Sequence, residues 1–208
     1  VDRLKGTYGD FQEKKEYREI TQFFLHEVYT TRDVTERNNG FKKVYEKFKG
    51  KLGSSLVNHL AKLVDLNDLS EELDLLMVSK LHQMGVGDKF TEDEYEEAYY
   101  LTDAYNERKE QIELIVKSLQ TFHMLSKYRS IGLTLSVIRP YALMKGARNL
   151  MDFMQGGYKV FRITKDVSPF EKAIEDREME RLDRIYSLGK RPPTIAELRK
   201  RAKEMGIK

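Results

Sequence analysis

The 208-residue chain is 40% hydrophobic and 34% charged, has a formal net charge of +3 and contains no cysteine. That balance suits a globular core rather than a disordered chain, and the missing thiols exclude disulfides and thiolate metal sites, in keeping with a cytoplasmic setting. The charged opening VDRLKGTYGD has no apolar signal region, and the longest apolar stretch, Ile131 to Met144 with Arg139 and Pro140 inside it, falls short of the ~20 residues of a membrane span.

Apolar residues recur at helical spacing and strand alternation is missing, so the predicted class is all-α. Tyr8, Phe11, Ile20, Phe23, Phe24 and Tyr29 predict a first helix. A second starts at Asn38 and Asn39, with Phe41, Val44, Tyr45 and Phe48 on one face and Gly50 and Gly53 at its end. Leu56, Leu60 and Leu63 keep the helical step, and a further helix carries Leu69, Leu73, Leu76 and Met77. The loop MGVGDKF lacks the glycine pattern of a phosphate-binding loop. At Thr91, TEDE is a capping box, in which the threonine oxygen takes an orphan backbone N–H and Glu94 reaches back. From Tyr95 through Ala98, Tyr99, Thr102, Tyr105, Ile112, Ile115, Val116, Leu119 and Phe122 the rhythm persists. It predicts one long central helix over about 91–125, the spine of a single multi-helix bundle.

Residues 131–144 are apolar all round and read as a central buried helix, bent or broken at Pro140. A second apolar helix, Leu143 to Met154, is expected to end at Gly156 and Gly157. Ser168, Pro169 and Glu171 combine a cap, a proline at the first helical position and a capping-box acid, and they open a highly charged helix that stops at Gly189. KRPP reads as an extended linker, and Thr194 with Glu197 caps a last short helix closed by Gly206. The expected organisation is a helical core over 1–166, a charged helix over 167–189 packing on or extending from it, and a linker with a short terminal helix over 190–208.

Charge is unevenly spread: residues 65–113 hold 15 acids against 4 bases, and residues 121–165 hold 8 bases against 1 acid. The expectation is that the two blocks lie close together and neutralise one another. His26, His59, His82 and His123 lack both Glu-x-x-His and paired-histidine spacing, so no metal site and no cofactor is assigned. Ser187 and Lys190 have Ser-x-x-Lys spacing without its partner motifs, and no catalytic residue is assigned. Three candidate sites remain. Arg108 interrupts the apolar face of the long helix and Glu72 borders the stripe of the helix before it, which suggests a buried or half-buried pair; the alternative is an arginine snorkelling to water. Tyr99, Tyr105, Phe153 and Met154 are candidates to line an interhelical pocket for an apolar ligand. Lys190, Arg191, Arg199, Lys200, Arg201 and Lys203 suit phosphate contact with a nucleic acid, and equally a plain solvated helix.

FFLHEVY with RDVTERN (23–38), LNDLSEELD (66–74), RKEQIELI (108–115) and the stretch from GARNLMDFMQGGYKVF to FEKAIEDRE (146–178) together resemble a family of uncharacterised bacterial all-helical proteins. The resemblance covers most of residues 1–180 and implies a helical domain of cytoplasmic, bacterial origin with no activity attached. That family has an acid where His26 stands and a Gly-Pro pair where Thr30 and Thr31 stand. The terminal PTIAELRKRAKEMGIK resembles the first half of the helix-extended-helix motif of SAP-type and transcription-terminator N-terminal domains. The leading functional reading is a non-enzymatic module that binds a protein partner or itself. An apolar-ligand or cofactor binder comes second, a nucleic-acid binder third and an enzyme last.

Overall fold

The computed structural model describes residues 2–28, 39–40, 43, 46, 54–87 and 89–187. The predicted tail, with all six of its candidate phosphate contacts, lies outside them, as does most of the helix expected after Asn38. Asn39, Gly40, Lys43 and Glu46 are helical. The fold is all-α. Apart from those four helical positions, the described residues form nine α-helices and one π-helical turn, with no strand among them: α1 Asp2–Thr7, α2 Gly9–Glu13, α3 Arg18–Phe23, α4 Ser54–Gln83, α5 Glu92–Leu101, α6 Tyr105–Ser126, α7 Arg129–Met144, α8 Arg148–Ile163 and α9 Ser168–Ser187.

Several elements differ from expectation for local reasons. The first predicted helix is three short ones followed by a π-helical turn, Phe24–Val28. Residues 13–16 contain no apolar side chain to bury, and at Lys14 the backbone leaves the helix with ψ 120°. The two helices read across residues 56–77 are one helix of 30 residues, α4. α8 passes through Gly156 and Gly157, expected to stop it, because these glycines serve packing: a Cβ on Gly157 would lie 3.1 Å from Phe23 Cζ. α7 stays helical on both sides of Pro140.

The predicted spine is broken. α5 ends at Leu101 and α6 begins at Tyr105. Between them the Thr102 hydroxyl donates to the Tyr99 carbonyl at 2.7 Å, and Asp103 turns into the left-handed region at φ 52°. The Ala104 N–H donates to the Tyr186 hydroxyl at 3.0 Å, and that hydroxyl in turn donates to the Tyr99 carbonyl at 3.0 Å. A single phenol from α9 thus serves one backbone N–H and one carbonyl at the break. The three residues that leave the helix are close to one turn, so the apolar rhythm crosses the gap in phase and hides it.

The capping box at α5 forms as expected: Glu94 N–H donates to Thr91 Oγ1 at 3.2 Å, and Thr91 N–H donates to Glu94 Oε2 at 2.8 Å. Thr91→Ala is expected to cost about 1 kcal/mol, visible as a lower denaturant midpoint at unchanged slope; an unmoved midpoint would remove the box from the stability of α5. At α9 the capping acid is not Glu171 but Asp166, whose carboxylate accepts the Ser168 N–H at 3.0 Å. Glu171 is buried instead, and its carboxyl is hydrogen-bonded to the Gln120 side chain.

The chain packs as two compact units, residues 1–67 with 113–177, and residues 68–112 with the helix from Glu178 onward. The boundaries fall inside α4, α6 and α9, so each of these helices lends residues to both. The first unit is built on rings. Phe170 is fully buried against Tyr8, Phe11 and Phe24, edge to face, with ring centres 6.0, 5.3 and 5.4 Å away. Phe23, Phe122, Phe153 and Phe161 form a second ring group in the same core. The second unit closes over Met77, Leu81, Ala98, Tyr99, Ile112, Leu182 and Ile185.

Candidate functional site

In the second unit the helical step places Leu73 and Met77 of α4 inward, and Glu72, one residue and about 100° away from Leu73, is exposed. Arg108 of α6 is buried, and its partners differ from the acid expected for it. Nη2 donates to the Leu73 carbonyl at 3.2 Å, Nη1 donates to Gln111 Oε1 at 3.3 Å, and the guanidinium lies 4.4 Å from the centre of the Tyr99 ring. Nε has no hydrogen-bond partner. Burial pushes the Tyr99 phenol up to about 12, with the Arg108 charge opposing. Desolvation also raises the carboxyl of Asp74, the residue after Leu73 on α4, again against the pull of Arg108.

A second guanidinium, Arg181 of α9, lies 5.7 Å from the Tyr99 ring centre and pairs with Glu96 at 3.1 Å; Arg184 joins the same carboxylate at 2.6 Å. The Arg181 and Glu96 side chains are 12% and 13% exposed, so this pair is largely out of water. Tyr105, on the rim, donates its hydroxyl to Asp183 at 2.7 Å. Arg181 and Tyr186 went unrecognised in the sequence because α9 reads as a solvated charged helix; the i, i+4 step from Leu182 to Tyr186 was the available sign of an inward face.

The four residues proposed to line a pocket fall into different cores. Tyr99 and Tyr105 belong to the second unit's cluster, and Phe153 and Met154 to the first unit's, where Phe153 is packed against Phe23 and Phe122. The first unit has an open cleft of about 610 Å³ lined by Lys14, Lys15, Glu16, Glu19, Ile163 and Thr164, two bases balanced by two acids. It also contains a polar group formed by His123, Asp166 and Glu171. Burial and the Lys127 charge lower the His123 imidazole, and burial with the Asp166 charge raises the Glu171 carboxyl. Both shifts favour neutral side chains suited to a core wall. Among those residues, too, no group of three or more histidines and acids is arranged to hold a metal, and no helix is long and apolar enough to cross a membrane.

The most unusual surface belongs to α7, which departs from the expectation of a central buried helix. Leu135, Ile138 and Ala142 face the first unit's core. The opposite face holds Leu133, Val137 and Met144, which are 69%, 78% and 82% exposed, with Pro140 exposed between them. Positions 133, 137, 140 and 144 advance by 4, 3 and 4 residues, the step by which one helix presents a seam to another. Single exposed apolar residues are ordinary, whereas a stripe of them along a helix already anchored by its other side is not. No acid lies on α7; exposed Lys127 and Arg129 stand at one end and Lys145 and Arg148 at the other. Arg139, at mid-helix, is tied to Asp152 at 3.0 Å. An apolar segment bounded by bases at both ends was the sign in the sequence that this helix has a wet side.

The basic block that contains α7 lies wholly in the first unit, and residues 68–112 of the acidic block lie in the second. Arg139 finds its acid, and Glu96 its bases, within the same unit as itself.

A family model described as Domain of unknown function (DUF8198) matches residues 1–192 of the chain. No curated protein and no solved structure matches it.

Proposed function

We propose, from the premise that the chain belongs to the DUF8198 family, that it is a non-enzymatic helical module that associates with further copies of itself through the outer face of α7. The observation that supports this is the Leu133, Val137, Pro140, Met144 stripe, open to water at seam spacing on a helix whose inner side is fixed in a core. Leaving three large apolar side chains in water forgoes roughly 1.5–3 kcal/mol for each that could be buried, an incentive that association collects.

Sedimentation velocity over a wide concentration range tests this reading. The expected result is a mass that rises above that of one chain as concentration increases, and a Val137→Asp variant that stays monomeric with its thermal midpoint unchanged. Position 137 touches water, so the substitution spares the core. A wild-type protein that stays monomeric throughout, or one whose association ignores Val137→Asp, overturns the proposal. So does a monomer that instead binds anionic vesicles through the same stripe.

A further inference from the structure

The α7 stripe cannot pair well with its own copy. In either direction, parallel or antiparallel, two such stripes would set bases against bases, because Lys127 and Arg129 close one end, Lys145 and Arg148 close the other, and the helix has no acid to offset them. Opposed like charges at the rim of an interface disfavour that pairing and slow its formation. The occupant that fits has an apolar seam of the same step with acids around it.

The chain carries such a face. On α4 the exposed residues Asp68, Glu71, Leu75, Val78 and His82 advance by 3, 4, 3 and 4, with Leu75 69% and Val78 53% exposed. Glu72 and Asp74 are exposed beside them. The imbalance extends well beyond the two faces. The second unit, residues 68–112 with 178–208, contains 18 acids against 13 bases, whereas the first, residues 1–67 with 113–177, contains 24 bases against 16 acids. Both stripes are open to water in a single chain, so each is available to another molecule.

We infer that the partner of the α7 stripe is the acidic α4 face of a second copy, an inference that rests on the α7 reading above. Leu75 and Val78 of one molecule lie along the middle of the Leu133, Val137, Met144 stripe of the next, and Glu71 and Glu72 reach toward the bases at one end of α7. The contact joins two different surfaces, so each pairing leaves one α7 and one α4 face unused, and growth continues into a ring or an open chain. The charged rim makes the association weaken as salt is added.

The lack of native cysteine allows a direct test by single-cysteine crosslinking of the full chain. With a short bismaleimide, a mixture of Val137→Cys and Leu75→Cys proteins is expected to give crosslinked dimer, and either variant alone little of it. In sedimentation, Glu71→Lys with Glu72→Lys is expected to weaken association about tenfold, and mixing it with an Arg129→Glu, Arg148→Glu protein to restore much of the loss. Efficient crosslinking of Val137→Cys to itself would overturn this pairing in favour of α7 on α7. The pairing also falls if Val137→Asp abolishes association while the α4 charge reversals leave it intact. If Val137→Asp has no effect, the α7 interface itself is lost, so the two failures are separable.

Discussion

Glu96→Ala is expected to destabilise the protein by about 3–5 kcal/mol, because it strands a guanidinium that the fold keeps out of water. Arg181 and Glu96 are both nearly nine-tenths covered; Arg181 meets the carboxylate through Nη2, and its Nε has no hydrogen-bond partner. Arg184, 51% exposed, can turn to solvent when the carboxylate goes, whereas Arg181 cannot. Chemical denaturation of both proteins at pH 7 measures the difference; a loss under about 1 kcal/mol would reduce the triad to an ordinary surface pair. The same carboxylate predicts a pH dependence. Burial by itself would raise the Glu96 carboxyl, but the hydrogen bonds and charges of Arg184 and Arg181 together outweigh it and hold it below its usual 4.5. A group held low in the folded state binds its proton more weakly there than in the unfolded chain. Its contribution is therefore complete above the unfolded value and fades as pH falls through the folded one. Stability should decline below about pH 4.5 and decline less steeply in Glu96→Gln. Part of the slope persists in that variant, because the hydrogen bond from Arg177 holds Asp10 low in the same way.

Whatever depends on neighbours in sequence could be read from sequence. The Thr91 box is a matter of three residues and formed as expected. The interruption at 102–104 left no such mark, since it preserves the helical phase and is completed by Tyr186, 84 residues beyond Thr102. α7 shows the limit of hydropathy more sharply. Its residues prefer burial on every side, but preference does not supply a second surface to cover them, and Leu133, Val137 and Met144 stay wet. Spacing likewise set Glu72 on the border of its stripe and Arg108 on the inner face of its helix. It could not reveal that a backbone carbonyl, Leu73's, would receive the guanidinium, because carbonyls carry no letter in the sequence.

That neutral reception of Arg108 leads to a contrast between two substitutions. Arg108→Ala is expected to cost about 2–5 kcal/mol, since it opens a cavity beside the Tyr99 ring. Arg108→Met, which keeps the length of the stem, is expected to change stability by less than about 1.5 kcal/mol. The reason is that losing the charge orphans little. Leu73 is interior to α4, where its carbonyl already serves the helical ladder, and Gln111 keeps its bond to Ser70 Oγ at 2.9 Å. Removing a buried charge along with its desolvation cost is often harmless when no opposite charge is left behind. If Met proved as damaging as Ala, the charge rather than the volume would be holding the site, and Asp74 would be the group it holds. A titration followed by NMR separates these cases. Without Arg108 the Asp74 carboxyl, already raised by desolvation, should rise further, because the one charge opposing that rise is gone.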